Sequence, residues 1–161
     1  MANTPNKQSN NEIIMSAFQQ LDNILKHADA DSQDWTEWQV NVADEIVQAF
    51  EREDTDFLEG SWRSKEKSWK EAMIDVIDGL PHYIFVPILL EIIRVEDDDL
   101  GWKAADACGF YAKRKEVVAE LTAVKSEKRA LCVERLNSFI EKGYLRTGNG
   151  EEIHNLRNLL L

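Results

Sequence analysis

Three histidines, two cysteines and two dense runs of acids are the residues of this 161-residue chain whose chemistry could go beyond packing. His27, His82 and His154 are far apart, and none stands in a pattern with a nucleophile, so a Ser/His/Asp arrangement has no support. Glu151 and His154 make one Glu-x-x-His, a spacing that puts both side chains on one helix face. Di-iron bundles need two such copies plus further carboxylates. Asp29, Asp31 and Asp34 resemble the opening of a calcium loop. The sixth position is then Asp34 where the sharp turn needs glycine, and the twelfth is Val40 where a bidentate glutamate is needed. Cys108 and Cys132 lie inside apolar helical patterns, outside any CxxC or Cys/His cluster, and are expected to be buried free thiols. No glycine-rich phosphate loop is present. These residues lead to the expectation of a non-enzyme with no cofactor and no metal.

The acids are a different matter. Residues 1–99 carry 22 acids and 8 Lys/Arg, which is −14, and residues 100–161 carry 8 acids and 11 Lys/Arg, which is +3. Two runs stand out, Glu51 to Glu59 and Glu96 to Asp99. Each reads either as a solvated face or as a docking surface that steers a basic partner. Trp62 sits between Ser61 and Arg63, outside any clean apolar stripe, and reads either as an interface anchor or as a loop residue folded onto the core. The candidate partner-binding residues are Glu53, Asp54, Asp56, Trp62, Asp97, Asp98 and Asp99. Trp35, Trp38, Trp69 and Trp102 recur with other apolar residues at helical spacing and are expected in the core.

The elements that must hold these residues are helices. The chain has only three prolines and seven glycines, and no segment reads as a strand hairpin. Residues 1–10 are polar and Asn-rich and are expected to be a disordered tail, with residues 11–161 forming one all-α domain. Helices are expected near 11–28, 33–51, 64–78, 82–95, 100–113, 115–124, 126–142 and 150–161. Residues 52–63 read as an irregular acidic connection. In the second helix Trp35, Trp38, Val42, Ile46, Ala49 and Phe50 form the inward stripe. The stretch 82–95 is apolar almost all round, which marks a central helix.

Asp97, Leu100 and the run Ala104-Ala105-Asp106-Ala107-Cys108-Gly109, preceded by Pro87-Ile88-Leu89-Leu90-Glu91-Ile92-Ile93, resemble a HEAT-type helical repeat over about residues 80–112. Gly101 stands where that family usually has arginine, the side chain that ties successive repeats together. The resemblance implies hairpins stacked as a short right-handed array, a protein-binding scaffold, and no catalytic residues. An orthogonal α-bundle of about seven or eight helices is the other architecture consistent with the pattern.

Composition narrows the partners. The acidic N-terminal portion opposes phosphate, so nucleic acid is not an expected ligand. The basic groupings that a nucleic-acid enzyme would need are confined to Arg63, Lys65, Lys67 and Lys70 and to Lys113–Lys115 with Lys125, Lys128 and Arg129. The longest apolar run is too short to span a bilayer and no signal peptide is visible, which points to a cytoplasmic protein without a membrane role. The expected function is a non-enzymatic acidic protein that masks a basic partner, such as an immunity protein or antitoxin neutralising a cationic toxin or nuclease. The alternative is a helical-repeat adaptor that binds its partner through an apolar groove. The oligomeric state is not legible.

Overall fold

The computed structural model describes residues 14–143 and 150–161. The expectation for the 1–10 tail lies outside the described residues, as do the first positions of the helix expected near 11–28. Among the described residues there is no strand, and nine α-helices form the fold. They are α1 (Ala17–Leu25), α2 (Val40–Gln48), α3 (Arg52–Ser61), α4 (Lys67–Val76), α5 (His82–Val95), α6 (Asp98–Tyr111), α7 (Lys115–Ala123), α8 (Ser126–Glu141) and α9 (Gly150–Leu160). A π-helical turn, Trp35–Gln39, leads into α2.

Local chemistry explains the boundaries. Ser16 opens α1 with a capping box: its hydroxyl accepts from the Gln19 N–H while the Gln19 side chain accepts from the Ser16 N–H. Asp97 caps α6 by accepting from the Leu100 N–H at 3.0 Å. Residues 52–63 are not an irregular connection; most of them form α3. Glu51 and Asp54 make a reciprocal capping box there, and the acids of the first turn suit the positive end of the helix dipole. Within α3 the fully buried apolar residue is Leu58, so periodicity carries almost no trace of this helix.

α5 is the centre of the molecule and packs against α6, α7 and α8. Eight of its fourteen residues are buried, which is why its sequence is apolar around most of the circumference. Pro87 lies inside it on an exposed face, so the carbonyl of Tyr83 lacks its i+4 backbone donor. α6 is the other hub, touching α4, α5, α8 and α9. Its small residues allow this. A Cβ on Gly101 would stand 2.9 Å from the Phe139 ring on α8, and one on Gly109 would overlap the backbone carbonyl of Glu152 on α9. From α8 the Arg135 guanidinium reaches the start of α6, donating to the Glu96 carbonyl at 2.6 Å and meeting Asp98 at 3.0 Å.

Cys108 and Cys132 are buried free thiols, and burial pushes them up to about 12 and about 11, so both stay protonated and unreactive. Asp106 on α6 is half-buried beside Glu152 of α9. Burial first, and the Glu152 charge second, raise its pKa. The native state therefore holds this proton to a higher pH than the unfolded chain does, and the stability it contributes is lost as pH rises through the raised value. Asp106→Asn is expected to melt higher than the parent at pH 7.5, with the difference closing below about pH 4, in thermal scans across that range.

Candidate partner-binding face

The acids of the Glu96–Asp99 corner are paired with cations of the same chain. Glu96 meets Lys70 of α4, Asp97 meets Lys67 at 3.2 Å, Asp99 meets the same Lys67 at 3.4 Å, and Asp98 is held by Arg135 at 3.0 Å and Lys142 at 2.9 Å. The Leu100 N–H, aided by Lys67, keeps the Asp97 carboxyl below its ordinary range. Each acid of the run thus faces a cation from α4, from α8 or from the residue that follows α8. This corner clamps α4 and α8 onto the start of α6.

The first basic grouping is the other half of that bookkeeping. Lys67 and Lys70 hold the corner. Arg63 is bound through two nitrogens to Glu91 on α5, which lowers the Glu91 pKa, and Lys65 reaches Asp22 on α1 at 2.6 Å. Asp22 also accepts from the Trp69 indole at 3.0 Å and pairs with Lys26; burial pushes its pKa up, but the hydrogen bonds from Lys65 and Lys26 outweigh that and hold it low.

Two of the seven candidate residues are corrected outright. Trp62 is only 2% exposed, because a 3-10 turn at Trp62–Ser64 folds its ring inward under the Arg63 guanidinium (4.8 Å) and the Lys70 ammonium (5.8 Å). It is a core residue, not an exposed anchor. Asp54 is 6% exposed and accepts from the N–H groups of Phe18 and Glu51, so it ties α1 to α3. Glu53 and Asp56, three residues apart on α3, are both exposed. Asp56 lines a cleft that Glu53 does not.

That cleft has a volume of about 750 Å³. One wall is the α3 face Arg52, Thr55, Asp56 and Glu59, at i, i+3, i+4 and i+7; the other is Pro81, Tyr83 and Ile84 at the start of α5, and the floor reaches Val47 and Phe50. A second cleft of about 440 Å³ lies between α2 and the end of α4, lined by Asn41, Asp44, Asp75 and Asp78 among others. The two share Gln48 and Gly79, so they form one track along α2 and α3.

The segment that carries α2 and α3 is unbalanced in charge. Residues 27–62 contain eleven acids and one Lys/Arg, Arg52, while the rest of the chain contains nineteen acids and eighteen Lys/Arg. Among the described residues, none of those eleven acids has a cation within 4.0 Å, though several accept hydrogen bonds from neutral donors. Almost the whole net charge of −11 is therefore located in this one segment. Comparison with protein-family models, curated proteins and solved structures finds no match to the chain. Among the described residues no group of three His, Cys, Asp or Glu could hold a metal ion, and no helix is long and apolar enough to cross a membrane.

Sequence reasoning missed one further feature. Trp38 is 73% exposed and Val42 50% exposed, although both fall on the expected inward stripe. The π-helical turn is the reason. The Val40 N–H bonds back to the Trp35 carbonyl, five residues away, which inserts one extra residue into the turn. The inward set becomes Trp35, Val40, Ala43 and Val47, and Trp38 and Val42 swing outward. Trp35 is fixed in the core by its indole N–H, which donates to Asp75 at 2.8 Å.

Proposed function

We propose that this chain is a non-enzymatic acidic binding protein that masks a basic partner protein, with an immunity protein or antitoxin neutralising a cationic toxin as its concrete form. The observation that carries the reading is the concentration of the net negative charge in residues 27–62. Acids crowded around one arginine repel one another, a cost to the folded state. The acids at 96–99 offset that cost through internal pairs, whereas the exposed acids along α2 and α3 keep their charge available to a partner. A basic protein arriving there would be steered by the field and would exchange counterions for direct pairs. Where the partner is a nuclease, the same acids would stand where phosphates bind.

The test is capture from lysate of the native host on the immobilised chain, followed by mass spectrometry. The reading expects a retained protein of strongly basic isoelectric point whose association slows as salt rises and which a variant carrying lysine at Asp44, Glu45, Asp56 and Glu59 no longer holds. A retained partner that is neutral or acidic, or bound equally by that variant, contradicts it.

A further inference from the structure

We infer that the exposed face of the π-helical turn and α2, centred on Trp38 and Val42, is the apolar anchor of an interface whose occupant is an arginine-rich segment of a partner protein. The inference rests on the acidic-docking reading above and names the residue around which that docking is organised.

Exposed tryptophan is costly unless something covers it, and here the exposure is built in. An ordinary α-helical continuation from Trp35 would turn Trp38 toward the core side; the π-turn turns it away and leaves the ring 73% exposed, with Val42 one turn further on beside it. The surroundings select the occupant. From His27 to Glu51 the chain has seven acids and no lysine or arginine. A second copy docking through the same face would bring the same acids to the contact, an anionic membrane would bring lipid phosphates and a nucleic acid its backbone phosphates, and each of these is repelled. A basic protein segment is attracted. Its arginines can lie flat on the indole face, and its remaining cations can continue past Asn41 into the acidic track. The molecule already uses this geometry internally, where the Arg63 guanidinium covers Trp62 at 4.8 Å and is held by Glu91. Trp38 has the ring, in a stretch rich in acids, but no cation over it among the described residues.

The experiment titrates the full chain with a nona-arginine peptide at low salt and reads the affinity by calorimetry and the quenching and blue shift of tryptophan emission. The expected result is binding that Trp38→Ala weakens about tenfold or more, that Trp38→Phe weakens less, and that the lysine variant at Asp44, Glu45, Asp56 and Glu59 abolishes. Because Trp38 is exposed, both single variants should keep the parent circular-dichroism spectrum. If the peptide binds and neither Trp38 variant weakens it, the anchor is overturned and the acidic docking reading stands. If the peptide does not bind the parent chain at all, that reading fails and takes the anchor with it.

Discussion

Replacing Asp97, Asp98 and Asp99 together by lysine is expected to lower the melting temperature by about 5–10 °C. The substitution removes the N-cap of α6, a change that costs about 1 kcal/mol at such positions. It also breaks the contacts of Asp97 and Asp99 with Lys67 and of Asp98 with Arg135 and Lys142. These pairs are partly exposed, so each contributes only about 0.2–1 kcal/mol. Three new cations beside Lys67, Arg135 and Lys142 add repulsion of similar size. The sum, about 2–3 kcal/mol, converts to that shift for a chain of this length. Because the Leu100 N–H and Lys67 hold Asp97 below its ordinary range, its share is present at neutral pH and lost as pH falls through that lowered range. Thermal scans of the parent and the triple variant at pH 7 check the prediction, and a shift under 1 °C would contradict the clamp. The same variant, while folded, should bind a basic probe as the parent does.

Gly109→Ala is expected to destabilise by about 1–3 kcal/mol and to do so at one place, the contact between α6 and α9. A methyl group there overlaps the backbone carbonyl of Glu152, which cannot rotate away as a side chain could. The two helices must separate, and the buried Ile153, Leu156 and Leu160 of α9 lose their fit against the core. Amide hydrogen exchange should quicken most in α9 and least in α1 to α3. Protection unchanged in α9 would show that the close approach is not what holds it.

Much of this architecture was legible. Helices α5 to α9 carry long apolar stripes, small-residue faces or acidic first turns, and their residue types alone place them within a few positions. Two local events were not. α3 is held by the Glu51–Asp54 capping box and one buried leucine, so its acids looked like a loop. The π-turn changes the helical period for a single turn, which no stripe of period 3.6 can register, and it exchanged the roles of two tryptophans. Trp38, expected inside, is exposed; Trp62, weighed as an anchor, is buried. The acid runs failed for a third reason. Glu96 to Asp99 and Glu51 to Glu59 look alike in sequence. What separates them is the cations folded against the first, Lys67 and Lys70 from before it and Arg135 and Lys142 from after it, and pairings of that range are set by tertiary packing.

The claim that residues 27–62 form the docking face is most directly tested by amide chemical-shift mapping on the full chain during titration with nona-arginine. The account predicts that the largest shifts cluster from Asp34 to Glu59, with the Trp38 indole resonance among them, and that the amides of Glu96 to Asp99 scarcely move. Shifts centred on Glu96 to Asp99, or spread evenly over every acidic surface, would contradict it.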